Sequence, residues 1–151
     1  MNWLPYATAV GAGFAFALHV QAQEVPAGVV MLDIQKANWE KSPTGEAAKI
    51  FGDQTKPGPY MLLTKPRPAP GPQNKPHTHP DTRTYTVISG TWYVGFGEKF
   101  DESKLIALKP GSVYTEPAGV PHFVVIKDEG TIVQISGTGP SRLIPAGAAA
   151  Q

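Results

Sequence analysis

The chain has 151 residues, with 13 Lys and Arg against 12 Asp and Glu and a formal net charge of +1. That length suits one domain with appendages, and the balanced charge argues against a polybasic nucleic-acid surface or an acidic disordered tail. Cysteine is absent, which excludes disulfides, a thiolate nucleophile and any Cys-ligated metal, while 16 Gly and 16 Pro disfavour long helices and favour short strands joined by turns.

Residues 1–22 carry no Asp, Glu, Lys or Arg. The apolar run Ala7 to Leu18 ends in His19-Val20-Gln21-Ala22, with small or apolar residues at the two positions that direct cleavage. This predicts a signal peptide over 1–22 and an exported chain beginning at Gln23, periplasmic or secreted, with no membrane association after cleavage. The competing reading of the same run is an apolar strand or helix of the fold.

Gln23 to Met31 reads as an edge strand. Asn38 to Asp53 reads as a loop leading to a strand near Ala48–Phe51. Lys56-Pro57-Gly58-Pro59 marks a turn, and Tyr60 to Lys65 a strand. Pro66 to Pro76 holds five prolines and must be extended loop. Strands are then expected at Thr84–Ile88, Thr91–Phe96, Leu105–Leu108, Ser112–Glu116, His122–Lys127 and Thr131–Ser136, with turns between them. Gly95 and Gly97 suggest a bend or bulge, and Lys99 and Asp101 a solvated loop. Ser141 to Gln151 reads as a frayed, Ala-rich tail. This spacing of strands and turns predicts an all-β sandwich or barrel.

Outside the signal segment the histidines are His77, His79 and His122. Side chains two apart on a strand share a face, so His77 and His79 can aim at one point. His122 opens another strand after the Pro117-Ala118-Gly119 turn. Imidazole is a common ligand for Zn, Cu, Fe and Ni, and this grouping predicts a metal site. The alternative is three histidines with no shared role.

The series Gly71, five residues, His77-Thr78-His79, three residues, Arg83, six residues and Gly90 resembles the first motif of the cupins. Gly111, five residues and Pro117-Ala118-Gly119-Val120-Pro121-His122 resembles the second. The flanking segments are similar to those of small exported single-domain cupins. The resemblance implies an all-β double-stranded β-helix, a jelly-roll barrel, as one domain over 23–151 with its core at about 56–138. It also implies a homodimer and metal ligation by His77, His79 and His122.

Two positions depart from the motifs. Arg83 stands where cupins usually carry a ligating Glu, and Ile126 where they usually carry Asn. Three neutral imidazoles leave a divalent ion with its full charge, and Arg83 would add another. Arg83 could turn to solvent or pair with Asp81, pair with an inward carboxylate, or receive an anionic substrate. Glu116 is the inward candidate, as ligand, as a support for a ligand, or as general base. Tyr85 and Trp92 either line the barrel or serve as ordinary core aromatics. The candidate catalytic residues are therefore Glu116, Arg83 and Tyr85.

The functional expectation is a mononuclear Fe or Cu oxidoreductase or dioxygenase acting on a small anionic, carbohydrate or phenolic molecule. The alternatives are a non-catalytic binder of a small ligand or metal, and a Zn- or Mn-dependent lyase or isomerase; Ni is a further candidate metal. The balanced charge and missing helix-turn-helix segment argue against a nucleic-acid partner.

Overall fold

The structure is a computed structural model describing residues 24–147. The expected signal segment lies outside the described residues. Among the described residues, eleven strands form two antiparallel sheets, accompanied by two short 3-10 helices. The strands are β1 (Glu40–Ser42), β2 (Gly45–Phe51), β3 (Gly58–Pro66), β4 (His77–Thr78), β5 (Arg83–Ser89) and β6 (Trp92–Phe96), followed by β7 (Ile106–Leu108), β8 (Val113–Glu116), β9 (His122–Val125), β10 (Ile132–Gly139) and β11 (Ile144–Pro145). One sheet runs β1-β2-β3-β10-β5-β8 and the other β11-β4-β9-β6-β7. Consecutive strands repeatedly cross between the sheets, giving the jelly-roll arrangement expected from the sequence.

The alternation of β5 explains how it is placed. Arg83, Tyr85 and Val87 are buried, while Thr84 and Thr86 lie on the other face. A period of two puts the first set between the sheets. There Tyr85 and Val87 join Trp92, Val94, Val124, Ile126 and Val133 in one apolar core. Ile126 therefore fills the core where the cupin motif usually has Asn.

All four residues of β9 are buried, because both its faces are covered. The outer face receives Phe100, whose ring meets that of Phe123 edge-on at 5.2 Å. β4 pairs with β9 only at His77, and the Pro-rich loop takes over alongside. Ala69 and Gln73 donate their N–H groups to Ile126 O and Val124 O. These are non-proline positions of the loop, so the prolines, which lack that donor, do not interrupt it.

Three local expectations are corrected. Glu24 to Met31 forms no strand; the nearest regular element is a 3-10 turn at Ile34–Lys36, capped by Asp33. Gly95 sits in an unbroken β6–β9 register, and its role is space: a Cβ there would run into the Phe123 ring. The bend falls instead at Gly97, which has φ +132 and donates to Pro121 O. Finally, residues 141–147 are not a frayed tail. β11 pairs with β4, and Ser141 is buried with its N–H bonded to Gln54 O.

Candidate metal and anion site

His77 and His122 are register partners across β4 and β9, with ring centroids 4.3 Å apart. His79 lies just past the end of β4, yet its ring reaches the same point. One ligand atom from each of the three buried imidazoles falls within 4.8 Å of the others. The same-face expectation for His77 and His79 therefore holds, with the strand itself shorter than expected.

Backbone carbonyls fix the tautomers. Nδ1 of His77 meets Lys75 O at 2.9 Å, Nδ1 of His79 meets Arg142 O at 2.9 Å, and Nδ1 of His122 meets Val120 O at 3.1 Å. A carbonyl oxygen only accepts, so each Nδ1 carries the proton and donates it. In the neutral ring Nε2 then carries the lone pair. Neutrality follows from the surroundings: burial lowers the pKa of all three, and that of His79 reaches about 3 because Arg83 adds its charge to the burial. Three oriented imidazole lone pairs are a donor set that fits a transition metal.

Arg83 is buried and faces this cluster, so it does not turn to solvent. Nη1 donates to Nε2 of His79 at 3.1 Å, and Nη2 donates to Ser141 Oγ. Its Nε stands 3.5 Å from Asp81 Oδ1, an ion pair without a hydrogen bond, and Nε is left unsatisfied. Asp81 accepts from Tyr60 Oη at 2.8 Å and from Ser141 Oγ. Gly137 makes room for this network, since a Cβ there would lie 2.5 Å from Asp81 Oδ2 and 2.7 Å from the Tyr60 hydroxyl.

Glu116 is buried and points inward from the end of β8. Oε1 accepts from Tyr114 Oη at 3.2 Å, and that hydroxyl accepts from Trp92 Nε1 at 2.9 Å. Oε2 lies 3.4 Å from His122 Nε2 and has no hydrogen-bond partner. Burial raises the Glu116 pKa, against the pull of Tyr85, Tyr114 and Arg83. Tyr85 stacks on Tyr114 at 4.7 Å, and burial with the nearby Glu116 charge holds its hydroxyl well above the usual value. Tyr85 and Trp92 belong to the core and also line the cavity, so both readings of these aromatics apply.

A cavity of about 350 Å³ opens onto the histidines. Apolar Leu62, Val124, Ile135 and Leu143 line it together with Gln54, Gln73 and Asn74. Its lining includes Arg83 and Arg142 but no Asp or Glu. Sequence reasoning missed Asp81 as an anchor fixed by Tyr60, and missed Ser141 and the Arg142 carbonyl altogether. The local signal for the latter pair was the short apolar run Leu143-Ile144-Pro145, which the surrounding alanines obscured.

The cupin domain profile matches residues 67–136. Germin-like protein subfamily 1 member 7 of Arabidopsis thaliana is 41% identical over 75 residues, covering 47% of this chain and 33% of that protein. Member 13 of the same subfamily is 48% identical over 61 residues, covering 38% and 28%. The chain thus spans a third or less of these relatives. Among solved structures, KdgF from Halomonas sp. superposes with a TM-score of 0.54 at 17% identity, covering 70% of this chain and 91% of that one. The polyketide cyclase RemF from Streptomyces resistomycificus gives 0.56 at 16% identity, covering 76% and 84%. At these identities the structural likeness bears on the fold alone. The motif histidines, the two-sheet jelly roll and these matches agree, and the chain belongs to the cupin superfamily.

Proposed function

We propose that the cavity holds one divalent transition metal at the imidazoles of His77, His79 and His122 and acts on a small anionic molecule as a metal-dependent oxidoreductase, exported and homodimeric. The observation that carries this reading is the trio of buried rings, each fixed by a backbone carbonyl so that Nε2 is the nitrogen left with a lone pair. Such a metal would supply Lewis acidity and, if Fe or Cu, a redox couple. The remaining steps belong to side chains. Arg83 and Arg142 give the cavity a positive lining that favours an anion, and the apolar residues beside them exclude water. Glu116, with one oxygen unbonded and a raised pKa, can hold or accept a proton at Oε2.

A second reading, a Zn- or Mn-dependent lyase or isomerase, draws on the same Oε2, because proton transfer beside a Lewis acid needs no redox metal. The test is to load the purified, untagged chain with Fe, Cu, Zn, Mn and Ni in competition and to measure bound metal by mass spectrometry. One ion per chain, absent in His122→Ala, is the expected result. No metal above background would overturn the proposal. Oxygen consumption with small carboxylates and phenols then separates the oxidative reading from the second.

A further inference from the structure

Arg83 is held at three points. Nη2 donates to Ser141 Oγ, Nε faces Asp81 Oδ1 at 3.5 Å, and Nη1 donates to His79 Nε2 at 3.1 Å. Ser141 is itself tied to Asp81, and Asp81 accepts from the Tyr60 hydroxyl at 2.8 Å, so the first two points form a buried anchor. The third differs in kind. Nδ1 of His79 is committed to Arg142 O, so the nitrogen that accepts from Nη1 is the one that carries the lone pair. An imidazole nitrogen has one in-plane lone pair. His79 therefore joins His77 and His122 around a metal only after Nη1 has let go.

The released N–H needs another acceptor. Arg83 is 8% exposed and anchored at its other nitrogens, so it stays beside the histidine cluster. Asp81 is already engaged by Tyr60 and Ser141, and the cavity lining offers no Asp or Glu. Charge imposes the same need. Three neutral imidazoles leave a divalent ion uncompensated, and the guanidinium is a like charge next to it. One anion with two oxygens meets both needs, with one oxygen toward the metal and the other toward Nη1. A carboxylate has that shape, whereas a phenolate or a sugar hydroxyl brings a single oxygen. Leu62, Val124, Ile135 and Leu143 along the cavity of about 350 Å³ leave room for a short apolar tail.

We propose that Arg83 couples metal binding to carboxylate binding: it caps the lone pair of His79 in the metal-free protein, and a small carboxylate draws it off, so that each ligand strengthens the other. This rests on the reading that His77, His79 and His122 bind a metal, and narrows the anion of that reading to a carboxylate. Linkage makes the coupling reciprocal, and such couplings commonly amount to about 5–150-fold in affinity.

The test titrates the untagged chain with Cu(II) in acetate and in perchlorate at equal ionic strength, corrected for copper–acetate complexes in solution. Wild-type protein should bind Cu(II) at least about fivefold more tightly in acetate. Arg83→Met combined with Asp81→Asn removes the cap and the anion receptor together and strands no buried charge. Its two affinities should agree within about twofold, a ratio that a general loss of affinity does not alter. Circular dichroism and thermal melting report whether this variant folds. Should it not, Arg83→Lys keeps a charge opposite Asp81 without the guanidinium fork, and should lose most of the acetate effect. Equal wild-type affinity in the two anions, or an undiminished acetate effect in the variant, would overturn the coupling while leaving a metal-binding site. Absence of Cu(II) binding in either anion overturns the proposed function with it.

Discussion

Arg83 and Glu116 are register partners across the β5–β8 ladder, and both side chains are buried between the sheets. Cross-strand partners share a face, so the carboxylate absent from position 83 is present directly opposite it. The guanidinium nonetheless directs its hydrogen bonds to His79 and Ser141 and its ion pair to Asp81. The free oxygen of Glu116 is thereby left facing His122 Nε2.

The Arg83–Asp81 pair should be strongly cooperative. Arg83→Met leaves Asp81 as a buried carboxylate without its counter-ion, and should lower unfolding stability by about 3 kcal/mol. Adding Asp81→Asn removes the stranded charge and should recover more than half of that loss. Urea denaturation of the single and double variants measures the coupling; simple additivity would refute it.

Metal-free protein should lose stability below neutral pH. Burial lowers the folded-state pKa of His77, His79 and His122 from the ordinary imidazole value of 6.5. Below that value the unfolded chain binds these protons and the folded chain does not, so stability falls with pH by up to about 1.4 kcal/mol per pH unit for each histidine. Glu116 has the opposite sign: its folded pKa is raised by burial, so the folded state takes up its proton first. One carboxyl offsets only one of three histidines, leaving a net loss. Melting temperature should drop between about pH 7 and about pH 5, and a flat or rising profile would contradict the buried neutral trio.

Gly137→Ala tests the anchor of Arg83 from a distance. The new methyl would press on Asp81 and on the buried Tyr60 hydroxyl, which have no room to retreat. Overpacking of this kind costs about 1–3 kcal/mol. Tyr60→Phe in the same background should relieve part of the clash, and differential scanning calorimetry gives the comparison. A neutral Gly137→Ala would mean that the network is loosely held.

Tyr114→Phe removes the donor to Glu116 Oε1 and strands the Trp92 N–H. The stability loss should be about 1 kcal/mol, the scale of one buried hydrogen bond. Because Glu116 Oε2 stands 3.4 Å from His122 Nε2, loosening the carboxylate should also lower the affinity of the three-histidine cluster for an added metal, by about tenfold. Equilibrium dialysis separates the two effects: unchanged affinity with reduced stability would assign Tyr114 to packing alone.

Much of this arrangement is legible in the sequence because local rules act at each point. The period-two alternation of Arg83 to Val87 sets which side chains enter the core, and the His-x-His spacing sets a common direction for two rings. Glu116 could be singled out because it lies on a strand leading to the turn before His122. Less legible is whatever depends on meetings far apart in sequence. Ser141 reaches Arg83 across 58 residues and Asp81 across 60, and no local pattern marks a serine for that role. The edge strand expected before Met31 fails for the converse reason. Its apolar residues have strand character, but Val25, Val29, Val30 and Met31 remain exposed, with no partner strand among the described residues.

The late return of the chain through β11 governs when the cavity can be finished. Ser141 reaches the guanidinium and the Arg142 carbonyl orients His79, while β11 closes the ladder over His77. His77 and His122 take their orientation from carbonyls two residues away, but His79 takes its own from one 63 residues on. The third ring is therefore set only once residues 141–145 have docked, which ties the finished cluster to completion of the domain rather than to its early collapse.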